Sequence, residues 1–177
     1  MKVLHDLNKH EIPLCLLFNR ANQCRPVSLF LSAISRLGNG VFWYVLIVML
    51  PVIHGVEAMN AVVHMLAAGL LGLAVYKWLK VTTRRVRPYN YHENIFRSVP
   101  ALDQFSFPSG HIQHATSFSL VLLYYYPEWA LLVLPFTALV ALSRVVLGLH
   151  YPSDVVIGAA IGLVISQVSI SLLQYFE

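Results

Sequence analysis

Long apolar runs separated by short polar breaks organise this chain. Val41 to Ile53 is almost wholly apolar, and Ala58 to Leu79 follows after the turn-forming His54-Gly55-Val56-Glu57. Three more runs come later: Ile112 to Tyr126, Trp129 to Leu149 beyond the break at Pro127-Glu128, and Val155 to Phe176. A helix crosses a bilayer with about 20 such residues, and with about 17 at the least. The pattern therefore predicts an all-α integral membrane helical bundle of about five to six transmembrane helices, beginning with a short span over 38–54. Tyr124, Tyr125, Tyr126 and Trp129 cluster where two runs meet, as aromatic side chains do at a membrane interface. Asn60 and His64 interrupt the second run and are expected to hydrogen-bond between helices. Gly158 and Gly162 are spaced to let two helices approach closely.

The first 37 residues break this pattern. Ile12, Leu14, Leu16, Leu17 and Phe18, then Val27, Leu29, Phe30, Leu31 and Ile34, recur among Arg20, Asn22, Gln23, Arg25 and Arg36, and no run reaches spanning length. Residues 1–37 therefore read as amphipathic helices lying in the interface, and residues 38–177 as the bundle core of a single domain. A sixth crossing within 13–36 is the alternative. Asp6, Lys9 and Glu11 interrupt any signal-peptide core. Cys15 and Cys24 match no metal-site spacing and read as ordinary apolar residues rather than a disulfide. Residues 80–107 form the one long polar insertion, and a loop of that length in a compact domain is usually functional.

Composition sharpens this picture. The chain is 58% apolar and only 11% charged, with a mean hydropathy of +0.67, whereas soluble domains carry about 25% charged residues. A formal charge of +4 suits nucleic acid, anionic lipid or a phosphorylated substrate, and a surface this apolar argues against the first. Asp and Glu total eight, with no carboxylate cluster near the polar motifs. Neither a metal site nor a cofactor is expected.

The chemistry lies where lipid-like sequence is interrupted. Lys80 and Arg87 are seven apart and would share a face if the second helix continued through them. Arg84 and Arg85 suit either snorkelling to headgroups or a site. Arg144 sits in apolar surroundings, where a charge costs about 2.5–3.5 kcal/mol unless it is partnered, and its planar fork matches phosphate oxygens. In Pro108-Ser109-Gly110-His111, Pro suits a first helical turn and Gly110 admits a ligand close to the backbone. The free N–H groups of the following helix favour an anion. His150 and Asp154 are four apart. A carboxylate on one ring nitrogen would leave the other as a nucleophile or base. His111 would then serve as proton donor, and His114 as a structural residue. Five alternating crossings place all three motifs at one end of the bundle. The opposite turns carry no Lys or Arg, so the positive-inside tendency favours a cytoplasmic site, with the outer face as the alternative where these cations serve phosphate rather than topology.

Together, Lys80-x6-Arg87-Pro88, Pro108-Ser109-Gly110-His111 and Ser143-Arg144-x5-His150-x3-Asp154 resemble the full three-part signature of the type 2 phosphatidic acid phosphatase (PAP2) superfamily. The resemblance covers 75 of the 177 residues without a departure at any signature position. It implies an integral-membrane phosphatase of a bacterial cytoplasmic membrane, acting without metal through a phosphohistidine on a lipid phosphate or diphosphate. Undecaprenyl diphosphate, phosphatidylglycerol phosphate, phosphatidate and lipid A phosphates are the substrates it suggests. On this analogy His150 attacks phosphorus, Asp154 orients it, and His111 protonates the leaving oxygen. Lys80, Arg87, Arg144, Ser109 and Gly110 would hold the phosphate oxygens. The alternatives are a vanadium-haloperoxidase-like oxidoreductase, disfavoured by the apolar spans, and a non-catalytic lipid-binding membrane protein, which would not need both histidines. The expected partners are the lipid substrate and the bilayer.

Overall fold

A computed structural model describes residues 2–176, and side chains from residue 6 to residue 175. Helices alone build the described chain: α1 (Lys2–Asn19), α2 (Arg25–Arg36), α3 (Phe42–His54), α4 (Ala58–Thr83), the short α5 (Pro88–Tyr91), α6 (Gly110–Tyr125), α7 (Ala130–Val146) and α8 (Pro152–Phe176). Three helical stretches are long and apolar enough to cross a membrane: Arg25–Tyr91, Pro127–Val146 and Pro152–Tyr175. The first is bent. A wide turn over Leu37–Val41 kinks it at Gly40 (φ 129°), and Gly55 (φ 71°) reverses the chain between α3 and α4.

α6 is the central helix, packed against α4, α7 and α8. A Cβ on Gly158 would lie 2.6 Å from the Ser109 carbonyl oxygen, and one on Gly162 would collide with that of Gln113. The paired glycines thus let the α8 backbone press on the start of α6, as their spacing predicts. Trp43, Leu50, Met65, Phe118, Leu122, Val133 and Val140 fill the space between α3, α4, α6 and α7. At the end remote from the signature motifs, His54 stacks on Tyr126 at 4.0 Å and accepts the Trp129 indole N–H. His64 bonds Tyr125 across helices at 3.1 Å, as expected, whereas Asn60 is exposed.

The N-terminal segment is helical, in α1 and α2 joined by a turn over Arg20–Gln23, and it carries buried contacts. α2 packs along α7, with Leu31 buried among Val146, Leu147 and Leu149, while Ile12 and Cys15 of α1 are buried against Ile95 and Tyr151. Asn19 donates to the carbonyls of Phe96 and Val146 and accepts the Phe96 N–H, and Asn22 accepts from Ser98. These bonds tie the polar 92–109 segment to the N-terminal helices and satisfy backbone groups that would otherwise be lost to water. Cys15 and Cys24 are both free thiols.

Candidate active site

α4 does not continue through Arg87. It ends at Thr83, Arg84 turns left-handed (φ 48°), and Arg87 is extended (ψ 152°) ahead of Pro88. The ring of a proline disfavours helical backbone in the residue before it, which accounts for the extended Arg87. Lys80 and Arg87 therefore meet through a third residue rather than along a shared helix face. Asp103 Oδ1 accepts Lys80 Nζ at 2.7 Å and Arg87 Nη2 at 2.8 Å, while Oδ2 accepts the Tyr76 hydroxyl at 2.7 Å. Burial alone would raise the Asp103 carboxyl, but the Lys80 ammonium, the Tyr76 hydroxyl and Arg87 together draw it down to about 2.

Arg87 reaches further. Its Nη1 donates to the Leu149 carbonyl at 2.7 Å and lies 3.3 Å from His150 Nε2. His150 sits in the short connection between α7 and α8, held by a bond from its N–H to the Arg144 carbonyl. Burial, reinforced by the Arg87, Arg144 and Lys80 cations, pushes the His150 imidazole well below its ordinary pKa. The neutral ring therefore keeps a lone pair for nucleophilic attack.

Asp154 stands in the first turn of α8 behind His150, as the four-residue spacing requires. Its Oδ2 lies 3.6 Å from His150 Nδ1 and accepts the Tyr151 N–H at 2.9 Å. The expected direct carboxylate–imidazole bond is thus longer than a hydrogen bond, and His150 Nδ1 has no hydrogen-bond partner. Asp154 Oδ1 is bonded at 2.7 Å to Arg85, whose guanidinium also donates to Glu11, Asn8 and Ser153 and stacks on Tyr151. Glu11 in turn accepts both the N–H and the hydroxyl of Ser153. Arg84, by contrast, is exposed and bonds only its own helix, so the two adjacent arginines have separate fates.

Ser109 caps the start of α6, with Pro108 just outside the helix rather than in its first turn. The Ser109 N–H donates to the Asp154 carbonyl, and its buried hydroxyl has no partner. Gly110 faces Tyr76, whose ring would lie 2.6 Å from any Cβ there. His111 Nε2 bonds Asn39 Oδ1 at 2.5 Å. His114 is held by the carbonyls of Gly110 and Gly69, consistent with a structural role. Arg144 is buried, donates to Ser35 Oγ at 2.5 Å, and leaves its Nε unpartnered.

These residues surround a cavity of about 320 Å³. Lys80, Asp103, Gly110, His111 and His150 line its polar end, and Trp43, Ile47, Leu66, Leu70, Leu73 and Phe118 form apolar walls that continue between α3 and α4. Of the eight residues singled out from the sequence, four therefore face the cavity. Arg87, Arg144, Ser109 and Asp154 are buried around them, with Arg87 Nη1 3.3 Å from His150 Nε2. Sequence reasoning missed Asp103, Glu11, Asn39 and Ser35. No local pattern marks these, because each acts on a partner distant in the chain.

The sequence model of the PAP2 superfamily matches residues 57–177. An undecaprenyl-diphosphatase of Sulfolobus acidocaldarius is 24% identical over 152 residues, covering 85% of this chain and 73% of that protein. A decaprenylphosphoryl-5-phosphoribose phosphatase of Mycobacterium tuberculosis is 38% identical over 98 residues, and that match spans about half of each protein, 54% and 52%. The crystal structure of a transmembrane PAP2-type phosphatidylglycerolphosphate phosphatase from Bacillus subtilis superposes with a TM-score of 0.74 at 21% identity, over 100% of this chain and 89% of that one.

Proposed function

Since the chain belongs to the PAP2 superfamily, we propose that it is an integral-membrane phosphatase that releases phosphate from a lipid phosphate or diphosphate through a phosphohistidine at His150. The observation that carries this reading is the placement of His150 Nε2 at the polar end of a cavity with apolar walls, 3.3 Å from Arg87 and close to Lys80 and His111. That arrangement seats a phosphate beside a neutral imidazole and leaves its alkyl or prenyl chain among side chains as apolar as the bilayer.

In the first step His150 Nε2 forms a bond to phosphorus while the P–O bond to the lipid breaks. The imidazolium of His111 gives one proton to the departing oxygen and is left neutral. Asp154, 3.6 Å behind Nδ1, offsets the positive charge that His150 acquires on phosphorylation. Lys80, Arg87 and Arg144, with Ser109 and the Gly110 N–H, stabilise the equatorial oxygens, the electrostatic work that phosphoryl transfer chiefly demands. Water activated by His111 then cleaves the P–N bond and restores His150.

The same reading assigns five crossings, by α3, α4, α6, α7 and α8, within one domain over residues 1–177. It puts all three signature motifs at one end and the His54–Trp129 contact at the other. The 54–57 and 127–129 turns carry Glu57 and Glu128 but no cation, which favours a cytoplasmic site in a bacterial cytoplasmic membrane. The names of the relatives favour a polyprenyl-linked phosphate or diphosphate.

The test is phosphate release by purified protein in detergent from a panel of polyprenyl and glycerolipid phosphates. His150→Ala is expected to abolish turnover and acid-labile covalent labelling. Wild-type rates in that variant would refute the nucleophile assignment.

A further inference from the structure

Gly38-Asn39-Gly40 enters the sequence only as a break, yet the structure spends two glycines on placing the residue between them. A Cβ at Gly38 would sit 3.0 Å from Val140 of α7, so a glycine allows the turn to lie against that helix. Gly40 adopts φ 129°, which side chains rarely tolerate, and a Cβ there would meet the Tyr44 ring at 2.7 Å. The result is the wide turn over Leu37–Val41 and a single polar side chain, Asn39, on the wall of the cavity that His111 and His150 also line. Asn39 Oδ1 meets His111 Nε2 at 2.5 Å, across 72 residues of sequence. This turn lies outside the residues that the superfamily model matches.

We infer that Asn39 is a positioning residue for the proton donor His111, holding its imidazole ring toward the leaving oxygen of the substrate. An amide oxygen can only accept a hydrogen bond, so Nε2 carries the proton in this contact. The bond fixes the ring plane about χ2. As the P–O bond breaks, the imidazolium passes its Nδ1 proton to the leaving oxygen, keeps the Nε2 proton on Asn39, and becomes neutral imidazole. Asn39 itself neither gains nor loses a proton. The inference rests on the phosphatase reading and adds to it a residue from the N-terminal segment.

A residue that serves the proton donor matters in proportion to how badly the leaving group needs a proton. An alkoxide leaves poorly without one, whereas p-nitrophenolate leaves unaided. The experiment measures kcat/KM for decyl phosphate and for p-nitrophenyl phosphate on the same preparation of each variant, so that any inactive fraction cancels in the ratio. Asn39→Ala is expected to lose about 30-fold on decyl phosphate and less than about threefold on p-nitrophenyl phosphate, within the range that general acid catalysis contributes. Asn39→Asp, which keeps an acceptor oxygen in place, is expected to stay within about fivefold of wild type on both. Equal losses on the two compounds, or no loss on either, would overturn the role of Asn39 while leaving an active wild type. A wild-type protein that releases phosphate from neither these compounds nor the lipid panel overturns the phosphatase reading, and the role of Asn39 falls with it.

Discussion

Arg144 is the cation of this site that makes no ion pair with a carboxylate among the described residues. Arg85 is shared by Glu11 and Asp154, and Lys80 and Arg87 share Asp103, but Arg144 has only the Ser35 hydroxyl. A buried guanidinium without a carboxylate is costly unless an anion completes it, which suits a residue proposed to receive phosphate. Asp103 has the complementary task of keeping Lys80 and Arg87 charged and fixed. Asp103→Asn is expected to reduce kcat/KM about tenfold and to lower stability at pH 7 by about 2 kcal/mol, the scale of hydrogen bonds to charged groups. Because the Asp103 carboxyl is depressed from 3.8 to about 2, its contribution is fully present above about pH 4 and disappears as pH falls through about 2. Thermal melts of the two proteins should therefore differ at neutral pH and converge in acid. At this scale the groups that gather around the cavity were legible, since charged and imidazole side chains inside apolar sequence are expensive enough to declare themselves. Their partners were not. Arg84 and Arg85 are indistinguishable in the sequence, and only packing leaves one exposed and buries the other behind Asp154.

Among the elements, the pairing of α6 with α8 decides whether the site assembles. Gly158 touches the Ser109 carbonyl, in the same residue whose N–H is bonded to Asp154, and Gly162 touches that of Gln113 one turn deeper. A side chain at 158 therefore presses on the phosphate end of the site, and one at 162 on the helix contact alone. Gly158→Ala is expected to cut phosphate release more than tenfold. Gly162→Leu is expected to lower the detergent Tm, with about 1–3 kcal/mol of overpacking strain. Parallel activity and melting curves would separate the two effects, and identical behaviour of both variants would contradict the distinction. The helix-pair spacing was readable as a local repeat. The end of α4 was readable to within a turn, since the apolar run stops at Leu79 and the helix at Thr83. The shared face that a longer helix would have given Lys80 and Arg87 does not form, because Arg87 is extended ahead of Pro88.

For the molecule as a whole, charge is distributed along one axis. On the proposed five crossings the Lys and Arg residues from Lys9 onward fall on or near the signature end, and Glu57 and Glu128 are the only Asp, Glu, Lys or Arg in the opposite turns. A cytoplasmic site predicts that Glu93→Cys, exposed in the 92–109 segment, is labelled in sealed cells only after permeabilisation. Glu57→Cys, at the opposite turn, should react from outside. Cys24 is exposed and must first be replaced by Ser. The reverse labelling pattern would invert the topology.

The sequence by itself determined the helical fold, its apolar runs and the charged and imidazole groups that interrupt them. Each of these follows from short-range physics, namely the hydropathy of consecutive residues and the cost of polar groups in an apolar run. Tertiary structure alone decided how those groups are held. Asn39 meets His111 across 72 residues, Ser35 meets Arg144 across 109, and Glu11 meets Ser153 across 142. Contacts of that separation depend on how helix faces pack, which no local periodicity records, so the N-terminal segment shows its part in the site only once the chain is folded.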